Sequence, residues 1–293
     1  MAELPEVTLT EWRSRATREL RGKSLDALSR VTDEGLSIAP LYTAEDLAGW
    51  DPATALPAPD ETPWVTWQSV ARGTPADAAT ALERAGEGGV LLTIDPTAGS
   101  RPGVGARSGA DLAEILAGWS GALPLGLDAG GDTAAAGAAL IASGVGSRSD
   151  AAIDLHLDPL HAMAAEGGLR GSWDAHLDAM ADWVAWGVAR EAGTRVVAVN
   201  TAAYHHAGAS DAQDLAYAVA TALEYLRALE TRGVSLEDAA ASLMFSMRLD
   251  AAPLMGIVKL RASRAVWARV TEVVGLPREQ LLHVRPSDRI TTR

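Results

Sequence analysis

Asp154, His156 and Asp158 alternate along one apolar stretch, and in an extended strand that spacing turns all three side chains to the same side. Two carboxylates and an imidazole so placed could ligate a divalent metal. Hydrogen bonds in a fold's interior would satisfy them equally. No second cluster of His and carboxylate stands at ligand spacing, so the spacing assigns no metal. His205 and His206 follow another apolar strand, but adjacent side chains diverge and cannot easily serve one ligand. They read as turn histidines with hydrogen-bonded or solvated nitrogens. Gly103-Val-Gly105-Ala-Arg-Ser-Gly109 is the nearest approach to a phosphate loop, and it misses the G-x-G-x-x-G spacing by one residue. No G-x-S-x-G elbow, P-loop or H-E-x-x-H is present, and the absence of cysteine removes thiolate chemistry altogether.

These residues depend on an alternating framework. Short apolar strands are predicted at Trp64–Val70, Gly89–Ile94, Leu123–Leu127, Ile153–Leu157, Val196–Val199, Leu243–Met247 and Leu281–Val284, with helical stretches between them. Ser172 opens one helix. Ser210-Asp-Ala-Gln213 is a capping box that opens another, and Gly233 stops it. Ser235 caps a short helix, and Leu254, Ile257 and Val258 mark the next. Strand followed by helix, repeated, means parallel strands with right-handed crossovers. Short strands without a glycine-rich loop after the first favour a (β/α)8-type TIM barrel over a doubly wound sheet.

Ahead of it lies an N-terminal helical arm. Leu9, Trp12, Ala16, Leu20, Leu25 and Leu28 predict a helix from Thr8 to about Arg30, and Gly35–Tyr42 reads as extended. Asp51–Pro63 carries four prolines and no periodicity, so it is a linker or surface arm. The expected division is an arm over 1–62 and a barrel over 63–293.

Of the 293 residues, 48% are hydrophobic and 22% charged, which permits a large core and excludes general disorder. Lys and Arg number 25 against 38 Asp and Glu, a net charge of −13. That balance speaks against nucleic acid and anionic membrane as partners, because both need a basic face. No apolar run reaches the ~18 residues of a membrane span, and no secretory signal opens the chain. A cytoplasmic protein is expected. The nine tryptophans are scattered and read as core and interface packing.

Four stretches carry a resemblance: Leu41-Tyr-Thr-Ala-Glu-Asp46, Pro63-Trp-Val-Thr-Trp-Gln68, Tyr204-His-His-Ala-Gly-Ala-Ser210 with Asp214-Leu-Ala-Tyr217, and Lys259-Leu-Arg-Ala-Ser-Arg-Ala-Val-Trp267. In order and spacing they resemble the barrel domain of methylmalonyl-CoA mutases. The resemblance implies an acyl-CoA-binding barrel and adenosylcobalamin held by a separate domain. That domain's D-x-H-x-x-G signature is not matched, since Asp154-Leu-His156 lacks the glycine, so no cofactor is expected on this chain.

The resemblance also implies that the family's catalytic positions fall on Ala202, Ala203, Ser69 and Glu166. Other substrate-contacting positions fall on Thr62, Trp67, Ser242 and Met244, and a glutamine position falls on His156, the one polar replacement. An interior stripped of arginine, tyrosine and histidine partners resembles the small subunit of heterodimeric mutases. The expectation is therefore a non-catalytic subunit supporting a catalytic large subunit, with Trp12 and Trp50 as interface anchors. The alternative is a catalytic isomerase barrel served by a cobalamin domain on another chain. The resemblance further implies an eighth strand beyond Leu281–Val284, for which the sequence leaves no room, so the barrel is expected to be truncated after its seventh strand.

Overall fold

The structure is a computed structural model, and it describes residues 7–32, 34–49, 64–86, 88–95, 102–117, 119, 121–142, 144, 152–190 and 193–290. The chain separates into two compact units, Met1–Ala55 and Leu56–Arg293.

In the first unit, Thr8 and Glu11 form a reciprocal capping box that starts helix α1, Leu9–Glu19. The helix predicted to run to Arg30 ends there. Arg21 and Gly22 take φ of 50° and 90°, a left-handed turn that no helix continues through. A 3-10 turn at Leu25–Leu28 follows. Strand β1, Arg30–Val31, then pairs antiparallel with β2, Ser37–Ile38. None of the α1 side chains is buried.

The second unit is mixed α/β and built on parallel strands. Strand β3, Trp67–Val70, pairs with β4, Gly89–Asp95, which pairs with β6, Leu125–Asp128, which pairs with β7, Ile153–Leu155. A two-residue strand β5, Val104–Gly105, adds to β4. Strand β8, Val197–Asn200, pairs with β9, Leu243–Leu249, and β9 with β10, Leu282–Pro286. A parallel bridge from Leu157 to Val197 links the two sets. All seven predicted strands are present in consecutive order. Among the described residues β3 and β10 are each paired on one side only.

Helices supply the crossovers that parallel pairing requires. They are α2 (Pro75–Glu83), α3 (Gly109–Leu116), α4 (Thr133–Ala142), α5 (Pro159–Glu166), α6 (Trp173–Val188), α7 (Ala202–His206), α8 (Asp211–Thr231), α9 (Leu236–Ser242) and α10 (Pro253–Val273). Ser172, Ser210 and Ser235 each cap a helix as the sequence predicts. Gly233 follows α8 with φ of 82°, a conformation that ends a helix at no steric cost to glycine. Gly103–Gly109 is not a phosphate loop: it holds β5 and then Ser108, whose capping box starts α3.

The core lies between strands and helices. Leu92, Leu125, Leu127, Ile153, Leu155, Met180, Tyr225, Phe245 and Trp267 are fully buried. Strand β4 is buried at nearly every position, the continuous apolar pattern of a parallel strand covered on both faces. Helix α10 buries its polar and small residues rather than the apolar ones that mark it. Leu254, Ile257 and Val258 are exposed, while Gly256, Lys259, Ser263, Trp267 and Thr271 face inward. Among the described residues no helix is long and apolar enough to cross a membrane.

Candidate functional site

A cavity of about 1160 Å³ lies at the β3 and β10 edges, lined by strand residues and also by Leu260, Arg264 and Thr271 of α10 and by residues 277–281. Alternation decides what lines it. Trp67 and Ser69 of β3, Leu91 of β4, Asp154 and His156 along β7, Met244 of β9, and His283 and Arg285 of β10 all reach it. Trp67 and His283 meet across the opening with ring centroids 6.0 Å apart, and His156 stands 5.8 Å from His283, edge to face. Arg285 Nη2 donates to Ser69 Oγ at 3.4 Å.

Burial governs the charges here. Desolvation holds the His156 imidazole down at about 4, and the cations Arg285 and Arg248 push the same way. His283 is also held down at about 4, by desolvation first and then by His156 and the two arginines. Both rings are therefore neutral at pH 7. Desolvation raises Asp154 to about 6, against the hydrogen bond its Oδ1 accepts from the Arg195 N–H at 2.7 Å.

The structure brings together Asp154 and His156 but not Asp158. Asp158 Oδ1 accepts from Tyr225 Oη at 2.5 Å and from the His161 N–H, capping α5, while Oδ2 accepts from the Asn200 N–H. Among the described residues no group of three or more His, Cys, Asp or Glu is placed to hold a metal ion. Ser69, Trp67 and Met244 line the cavity. Ser242 turns its hydroxyl back to the Ala239 carbonyl at the end of α9. Ala202 is buried at the start of α7 and Ala203 follows it. Glu166 ends α5, where its Oε1 accepts from the Gly131 N–H at 3.4 Å. Thr62 and Trp50 lie outside the described residues, and Trp12 is half-buried on α1.

His205 and His206 lie on α7 rather than in a turn. His205 is buried, with Nε2 2.8 Å from Ser287 Oγ and Nδ1 3.4 Å from Asp214. Asp214 accepts in turn from Lys259 Nζ at 2.6 Å, and that ammonium also reaches Asp211 at 2.9 Å and the Arg248 carbonyl at 3.0 Å. This buried network locks α7, α8 and α10 onto the strand ends. Nothing in the apolar periodicity of α10 points to it, because its key residue is a lysine on the inward face.

The interior is not stripped of arginine. Strand β9 continues past the predicted end at Met247 to Leu249, and β10 past Val284 to Pro286. Those extensions carry Arg248 and Arg285, which sequence reasoning missed because it placed both beyond the strands. Arg248 follows Met244 and Ser246 on the inward side and is only 6% exposed. Desolvation lowers its guanidinium to about 10, still protonated at neutral pH.

The methylmalonyl-CoA mutase family profile matches residues 135–285. The chain is similar to a methylmalonyl-CoA mutase small subunit of Streptomyces virginiae, 34% identical over 94% of this chain and 47% of that protein. It resembles the small subunit of Propionibacterium freudenreichii subsp. shermanii, 34% identical over 45% of this chain and 20% of that one. A methylmalonyl-CoA mutase of Cereibacter sphaeroides is 28% identical over 89% of this chain and 42% of its own length. The chain spans about half or less of the length of these relatives. With parallel strands in consecutive order and a family profile covering more than half of the residues, the chain belongs to the methylmalonyl-CoA mutase family.

Proposed function

We propose that the chain is a non-catalytic, small-subunit-type component of an adenosylcobalamin-dependent methylmalonyl-CoA mutase. It acts in the cytoplasm and supports a catalytic large subunit that interconverts methylmalonyl-CoA and succinyl-CoA. The observation that carries this reading is the 34% identity to a small subunit across 94% of the chain. Among the described residues, β3, β4, β6, β7, β8, β9 and β10 lie side by side in sequence order, with Trp67 of one edge against His283 of the other, which suits a (β/α)8-type barrel.

The side chains at the implied catalytic positions support a supporting role. Ala202 and Ala203 have no group to transfer a proton. Glu166 carries the wrong sign to hold a carboxylate or phosphate, which arginine's planar fork suits. The residues nearest in type to a cobalamin signature do not fit a corrin. A group as large as a corrin would need an accessible imidazole, whereas His156 is 7% exposed inside the cavity. Asp154, beside it, is tied to the Arg195 N–H. Cobalamin then belongs elsewhere in the complex.

Co-expression with the cognate large subunit, tagged on one chain only, tests this reading. The two chains should elute together, and Trp12→Ala should weaken assembly by ~2 kcal/mol if that ring anchors the interface. Asp154→Asn in the assembled complex should leave turnover within about twofold. A chain that elutes alone overturns the subunit reading. A loss on the order of a hundredfold with the complex intact assigns chemistry to this interior.

A further inference from the structure

We infer that the carboxyl ends of β9 and β10 form an oxyanion site, in which Arg248 and Arg285, flanked by His283, clamp one phosphate or carboxylate group of a small molecule. Arg248 and Arg285 are register partners on adjacent parallel strands, so their side chains leave the sheet side by side. Like charges directly opposite one another destabilise a sheet. Among the described residues no carboxylate makes an ion pair with either guanidinium. The one hydrogen bond either donates there is the long contact from Arg285 to Ser69.

Burial sharpens the point. Arg248 is more than nine-tenths buried, and its Nη1 has no hydrogen-bond partner among the described residues. His283 Nδ1 is likewise without one. A buried guanidinium with unmet donors costs several kcal/mol unless something accepts from it. Asp288, Asp128 and Asp214 favour the charged Arg248 without pairing with it, and each has a partner of its own: Asp288 faces His206, Asp128 Oδ1 accepts from the Gly130 N–H, and Asp214 accepts from Lys259. An oxyanion seated between the guanidiniums would accept from both forks and screen their repulsion. The position also fits, since ligands of parallel α/β folds bind at the carboxyl ends of strands.

The cavity describes the rest of the ligand. Arg285 and His283 line it together with Trp67, Leu91 and Met244, so an apolar body can follow the anionic head past Asp154 and His156, while Arg248, the register partner of Arg285, lies outside that lining. Neutral His283 can donate one ring N–H to the same group. This inference does not depend on the subunit reading: it concerns binding by the chain itself, and it stands or falls without a partner.

Calorimetry and thermal unfolding of the full purified chain test it, with inorganic phosphate and hexanoate as probes and hexanamide as the uncharged control. Binding of phosphate alone assigns a phosphate head, and preference for hexanoate assigns a carboxylate with an apolar body. Hexanamide should not bind measurably. Arg248→Met and Arg285→Gln should each weaken binding roughly ten- to hundredfold. They should also abolish the ligand-induced rise in Tm. Should Arg248→Met fail to fold, the more accessible Arg285→Gln decides alone. Absence of binding by either anion up to about 10 mM overturns the site, as does binding that both variants leave unchanged.

Discussion

Arg248 of β9 and Arg285 of β10 stand directly opposite each other in the parallel ladder, two cations in neighbouring register positions at the strand ends. Without a ligand the pair is a local liability. Arg285→Gln should therefore stabilise the ligand-free chain by about 0.5–1 kcal/mol, raising Tm by about 2 °C for a protein of this size. Thermal unfolding in buffer without oxyanions measures it, and a lowered Tm would mean that Arg285 is compensated after all.

Acid should weaken the fold through two histidines. His156 and His283 hold folded values of about 4 against an ordinary 6.5, so the unfolded chain takes up protons first as pH falls. The stability present above 6.5 is lost as pH drops from there toward 4. His156→Gln should flatten that slope, as followed by urea unfolding at several pH values. An unchanged slope would place the acid sensitivity elsewhere.

Asp154 works in the opposite direction. Its folded value of about 6 lies above the ordinary 3.8, so its contribution is greatest in acid and is lost as pH rises through 6. Asp154→Asn keeps an oxygen for the Arg195 N–H without the buried charge. It should stabilise by ~2 kcal/mol at pH 8 and by little at pH 4. Equal effects at both values would refute the assignment.

Lys259 carries a heavier load than its exposed neighbours on α10. Lys259→Met leaves Asp214, wholly buried, without its main counter-charge. The expected loss is about 3 kcal/mol or more. Adding Asp214→Asn should recover part of it, since the two sites share one interaction. Chemical denaturation of the single and double variants gives the coupling, and simple additivity would show that the pair is not the unit.

Much of the framework was legible because local rules act over few residues. Seven apolar runs, the capping serines at 172, 210 and 235, and the stop at Gly233 all follow from strand periodicity and from helix ends that need hydrogen-bond partners. The arm helix was overextended because apolar spacing continues through Leu25 and Leu28, while Arg21 and Gly22 turn the backbone left-handed. On α10 the apolar residues Leu254, Ile257 and Val258 marked the helix but not which face it buries. Lys259 faces inward only because Asp214 and Asp211 wait on α8, a pairing across distant segments that no local pattern announces.

The sequence by itself determined the element order, the parallel α/β class and the family, since these reside in residue types and spacing along the chain. Tertiary structure alone decided which side chains share the interior. Strands β9 and β10 gain their last residues from pairing with each other, and that added length, set by a ladder between distant segments, turns Arg248 and Arg285 from loop residues into neighbours at one strand end.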